Sequence, residues 1–158
     1  MSKIEKYEMS KIETTNPYTN LKMDSYNTFS IEKVTAILET SKDAFNKWKL
    51  VEVKKRVQLL DNLADVLYKN NNMYSQLITD EMGKPISESK TEIEKCIFLC
   101  DFYKKNANVL LADELIETEA NESFISYDPL GVILAIMPWN YPFWQVMRFA
   151  IPALTSGN

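Results

Sequence analysis

Apolar residues recur at helical spacing through most of the first 110 positions, and the pattern changes character after that. Ser30 precedes Ile31, Val34, Ile37, Leu38 and Phe45, a stripe that predicts a helix with Ser30 at its N-cap and Glu32 in its first turn. A second helix is predicted from about Glu52, with Val53, Val57, Leu60, Leu63 and Leu67 facing inward. A third runs from about Asn72 to Met82 with Met73, Leu77 and Ile78 on its apolar side. Gly83, free to adopt positive φ, ends it, and Pro85 is suited to open the next helix. That fourth helix extends to about Asn106 and carries Ile86, Ile93, Cys96, Ile97 and Cys100 along one side.

Beyond Ala107, "DELIETEANESFISYDPLG" alternates in short runs around Asn121, as a hairpin or ribbon does. "GVILAIM", residues 131–137, is continuously apolar and predicts a strand buried on both faces of a parallel sheet. Pro138 ends it, and a further apolar helix is predicted over 143–156. Strand, Pro-bounded turn and helix make the opening of a β-α unit, whose ligands sit at the carboxyl ends of strands. The turn "PWNYP" lies at that end. A parallel strand needs a neighbour and none follows, so the chain is expected to stop partway through a fold. At the other terminus, residues 1–16 are polar and repeat "MSKIE" at Met1 and Met9. They read either as a disordered tail or as the trace of an alternative start at Met9. "NPYTN", 16–20, has turn chemistry.

Charge and residue usage narrow the chemistry. The formal charge is −4, from 18 basic and 22 acidic residues with no basic block, which argues against nucleic acid or an anionic membrane as partner. No secretory pattern opens the chain, and prolines, Asn140, Gln145 and Arg148 interrupt the terminal apolar run, so a membrane span is a poor reading and the cytoplasm is expected. There is no histidine, which excludes Ser-His and Cys-His catalysis and imidazole metal sites, and no metal is expected. Three glycines cannot build a Gly-rich phosphate loop. Cys96 and Cys100 share a helical face with Ile93 and Ile97 and read as buried small hydrophobes or, alternatively, as a redox pair or catalytic thiol.

"PLGVILAIMPWNYPFWQVMRFAIPALTSGN" and "EMGKP" resemble aldehyde dehydrogenases, and the resemblance extends over residues 16–158, most closely to bacterial succinate-semialdehyde enzymes. It implies an incomplete α/β fold: a helical part of the cofactor domain over 17–112, an oligomerisation ribbon over 113–128, and the truncated start of a Rossmann-like sheet over 129–158. It further implies oxidation of an aldehyde, with succinate semialdehyde as the expected substrate, by NAD or NADP. The complete protein is expected to be a homo-dimer or tetramer.

The resemblance also assigns roles. Asn140 matches the asparagine whose amide supports the oxyanion of the reacting aldehyde, a stabilisation on the order of 3 kcal/mol in comparable sites; without the motif an Asx-turn or cap is the simpler reading. Ile136, Met137, Pro138 and Trp139 match positions that line the nicotinamide half of the cofactor, or serve only as packing at a strand end. Tyr141, Gln145 and Arg148 share a helical face that in the family lines the substrate funnel. An arginine there suits a bidentate pair with a substrate carboxylate, or else it reaches to the surface or pairs elsewhere. Cys96 and Cys100 match none of the family's catalytic motifs, so the nucleophile is expected outside these residues. Two other readings stay open: a non-catalytic piece that associates with intact subunits, and a helical interaction module.

Overall fold

A computed structural model describes residues 10–158. Its centre is a cluster of helices: α2 (Val53–Lys69), α3 (Asn71–Met82), α4 (Ile86–Leu110) and α5 (Pro142–Thr155). The long α4 forms the spine, against which α2, α3 and α5 all pack. Val57, Leu60 and Leu67 of α2 meet Ile78 of α3, Ile93, Cys96, Cys100 and Ala107 of α4, and Ile151 of α5. These are the predicted inward positions of α2 and the middle of α4, and burying each large aliphatic side chain contributes about 1.5–3 kcal/mol. Met73, Leu77 and Ile86, also predicted inward, lie at the rim and are exposed.

The corner between α3 and α4 depends on Gly83, whose φ of 74° is left-handed. A Cβ there would also stand 3.2 Å from the Pro17 ring. Left-handed backbone and close approach both favour glycine.

Helix α1 (Ile31–Trp48) forms as predicted, with the Ser30 hydroxyl accepting the Lys33 N–H. Its apolar stripe, however, buries nothing among the described residues: Ile31 is 64% exposed and Leu38 57%. Periodicity reports which face seeks cover, and no described residue supplies it. The Trp48 indole N–H ties the end of α1 to the Leu154 carbonyl at 2.9 Å.

Two small antiparallel sheets complete the structure. β1 (Lys11–Thr15) pairs with β2 (Lys22–Asn27), Lys11 opposite Asn27 and Glu13 opposite Ser25. Between them the Asn16 side chain accepts the N–H groups of Tyr18 and Thr19, the Asx-turn that "NPYTN" predicts. The expected tail over 1–16 is therefore corrected for 11–15, which gains a strand partner; 1–9 lie outside the described residues. β3 (Glu114–Leu115) pairs with β4 (Phe124–Ile125), which places a short ribbon inside 113–128.

Residues 131–137, expected as a buried strand, carry no ladder. Leu134 and Ile136 are 84% and 86% exposed. A strand buried on both faces needs parallel neighbours and helical cover, and none stands beside it among the described residues.

Candidate functional site

The turn between the extended segment and α5 collects most of the residues singled out in the sequence. Ile136, Met137, Pro138 and Trp139 run consecutively into it, followed by Asn140 and Tyr141, the residue that caps α5. Met137 is partly buried, while Ile136, Pro138, Trp139 and Asn140 are exposed. Trp139 and Pro142 border a cleft of about 420 Å³ with Pro17, Leu77, Met82 and Phe143. The Asn140 amide makes no hydrogen bond among the described residues.

What holds the turn comes from α4 and from the corner before it. Pro142 occupies the first position of α5 and has no N–H to satisfy. The next two N–H groups, of Phe143 and Trp144, both donate to Glu92 Oε1, at 2.9 and 3.0 Å. Glu92 thus caps α5 from another helix, its negative charge at the positive end of the helix dipole. Its other oxygen accepts Lys84 Nζ at 2.5 Å, and both side chains of the pair are buried. The Lys84 ammonium lies 3.5 Å from the centre of the Tyr141 ring, and that of Lys95 lies 3.9 Å from the Trp144 ring. "EMGKP" and "PWNYP", distant in sequence, are therefore joined in one corner.

The far end of α5 is held as firmly. Arg56, buried on α2, donates through Nε to the Thr155 carbonyl at 2.9 Å and through Nη1 to the Val51 carbonyl at 2.6 Å. Burial lowers its pKa, and the Thr155 carbonyl, at the negative end of α5, is a partner that suits a buried cation. The Gly157 Cα approaches so closely that a Cβ would stand 3.0 Å from Arg56 Nη1.

Arg148 projects from α5 about 10 Å along the axis from the turn, by the helical rise. It is exposed, has no ion-pair partner among the described residues, and borders a cleft of about 450 Å³ with Tyr103, Ala107 and Pro152. Gln145 is partly buried between it and the turn. Tyr141 belongs to the expected face by spacing, yet its ring is engaged by Lys84.

The cysteines settle into the packing alternative. Burial, reinforced by the nearby Glu92 carboxylate, pushes the Cys96 thiol up to about 12, and burial raises Cys100 to about 11. Neither is a nucleophile in that state. Among the described residues no group of three or more His, Cys, Asp or Glu side chains could hold a metal ion, and no helix is long and apolar enough to cross a membrane.

Lys84, Glu92 and Arg56 were not predicted. A signal existed for two of them: Glu92 interrupts the apolar face of α4 beside Ile93 and Cys96, and Arg56 interrupts that of α2 between Val53 and Val57.

Comparisons with known proteins bear on the family and the fold. The chain is 44% identical over 147 residues to the probable succinate-semialdehyde dehydrogenase [NADP(+)] of Synechocystis, covering 93% of this chain and 32% of that protein. It is 35% identical over 143 residues to the succinate semialdehyde dehydrogenase [NAD(P)+] Sad of Escherichia coli, covering 90% and 31%. Among solved structures it is similar to succinic semialdehyde dehydrogenase from Streptococcus pyogenes in complex with NADP+, with a TM-score of 0.88 and 28% identity over 92% of this chain and 32% of that one. It also matches a structure described for cofactor and substrate selection by Gox0499, with a TM-score of 0.91 and 29% identity over 95% of this chain and 33% of that one. The chain spans about a third of the length of these relatives. Residues 4–158 match the aldehyde dehydrogenase family, and the chain belongs to that family.

Proposed function

We propose that this protein takes part in oxidising an aldehyde with a distal carboxylate, succinate semialdehyde being the type case, to the corresponding acid with NAD or NADP. The observation that carries the reading is Arg148: an exposed guanidinium without an ion-pair partner among the described residues, on the helix that leaves the Asn140 turn, in a chain whose curated relatives are named for that substrate. Its planar fork suits a carboxylate bidentately. Asn140 donates its amide N–H to the aldehyde oxygen as negative charge develops there. The dinucleotide, when bound, accepts the hydride. The apolar run from Ile136 to Trp139, exposed except at the partly buried Met137, fits the nicotinamide end of such a cofactor, which needs apolar walls with few polar groups. Gln145 lines the way between turn and arginine.

The ribbon of β3 and β4, with Leu115 74% and Phe124 55% exposed, supports association into a homo-dimer or tetramer through 113–128. Two unoxidised cysteines suit a reducing cytoplasm.

The test is made in a chain spanning the full length of the relatives. Arg148→Ala should lower kcat/KM for succinate semialdehyde by about one to three orders of magnitude, the loss of a charge-assisted pair worth roughly 1.5–3 kcal/mol plus some positioning. For butanal the change should matter far less, and Arg148→Lys should recover part of the loss. Equal losses on both aldehydes would make Arg148 structural and withdraw the semialdehyde.

A further inference from the structure

We propose that the buried Glu92–Lys84 pair is a positioning device for Asn140, an inference that rests on the oxyanion role of Asn140 given above. A buried ion pair rarely stabilises a fold more than apolar side chains of the same volume would, because both ions lose their water. Its presence at this corner is better explained by what it fixes. One carboxylate oxygen of Glu92 takes the N–H groups of Phe143 and Trp144; the other takes Lys84, whose ammonium faces the Tyr141 ring. Tyr141, Phe143 and Trp144 are thereby pinned around Pro142, whose ring already restricts the backbone.

Asn140 is bonded directly to Tyr141 and has no side-chain anchor among the described residues. Its direction is set through the backbone that Glu92 and Lys84 hold. An oxyanion donor works only when fixed in advance, and an error of about 1 Å costs on the order of 100-fold in rate. Glu92 and Lys84 touch neither substrate nor reacting atoms; they act through Asn140.

The experiment is a double-mutant cycle in a chain spanning the full length of the relatives, whose parent keeps the pair and whose Glu92 variants also carry Lys84→Met so that no lone buried charge remains. Glu92→Gln keeps an oxygen that can accept the Phe143 and Trp144 N–H groups; Glu92→Leu keeps none. The leucine variant should lose about 10- to 100-fold in kcat with KM little changed, and the glutamine variant should stay within about threefold of its parent. Both should lose almost nothing further in an Asn140→Ala background, since the donor they position is gone. Losses that add fully to that of Asn140→Ala, or equal losses for leucine and glutamine, overturn the proposal. Should the leucine variant fail to fold, Glu92→Gln with Lys84 intact carries the cycle: a loss of about 3- to 10-fold that vanishes with Asn140→Ala supports positioning, and an additive or absent loss overturns it. If Asn140→Ala itself leaves kcat unchanged, the oxyanion reading fails instead, and the two failures are told apart.

Discussion

The side-chain oxygen of Asn158 accepts the backbone N–H of Leu130 at 2.7 Å, and that of Gly131 at 3.1 Å. This latch anchors the start of the extended segment beside the end of α5, so the backbone on both sides of the Asn140 turn is fixed to the same helix. Asn158→Ala leaves two N–H groups without their acceptor. It should lower stability by about 1–2 kcal/mol, read as a shift in the denaturant midpoint at constant slope. An unchanged midpoint would show that water replaces the amide without cost.

Arg56 makes a sharper prediction because its guanidinium is buried. Arg56→Met retains much of the apolar stem but strips the Thr155 and Val51 carbonyls of their donors. The expected loss is about 2–3 kcal/mol. Gly157→Ala should cost about 1–3 kcal/mol by a separate route, since φ is 98° there and the new Cβ meets Arg56. Arg56→Met removes the clash and leaves the strained φ, so the two losses should add only in part when combined. Additive losses would separate the glycine from the arginine.

At the α3–α4 corner, Gly83→Ala should destabilise by about 1–2 kcal/mol, from the left-handed φ and the approach to Pro17. Gly83→Asn should cost less, because asparagine tolerates that conformation better. Equal melting temperatures for the alanine variant and its parent would remove the backbone argument.

The thiols give a pH dependence. Cys96 moves from its ordinary value of 9.0 up to about 12 on folding, chiefly by burial, so the folded state holds this proton more tightly than the unfolded one. Its contribution to stability is complete below pH 9.0 and is lost as pH rises towards about 12. Cys96→Ala and Cys100→Ala should flatten that alkaline decline, whatever they cost in packing at neutral pH. Alkylation at pH 8, read by peptide mass, should leave both cysteines unlabelled until denaturant is added. Residues 1–158 alone should likewise give no aldehyde-dependent reduction of NAD(P), because neither thiol is available to attack.

The helical cluster is legible in the sequence because its apolar stripes face one another. Val57, Leu60 and Leu67 were predicted inward and meet Ile93, Cys96 and Cys100, also predicted inward. Where the described residues leave a stripe uncovered, as for α1 and 131–137, spacing predicts the tendency and not the burial. The turn was legible through its prolines and Asn140, but its support was not. Periodicity counts apolar positions and assigns charges to water, so Glu92, Lys84 and Arg56 pass unnoticed until the backbone groups they serve are seen.

The corner at Gly83 also bears on what could be transplanted. A designer who moves "PWNYP" alone into another scaffold carries the asparagine without the carboxylate that seats the following helix. The smallest portable unit runs from the glycine corner through the first turns of α4, together with the start of α5. Sequence drift within that unit should therefore occur in concert: a change at Tyr141 or Trp144 favours a matching change at Lys84 or Lys95, whose ammonium groups face those rings.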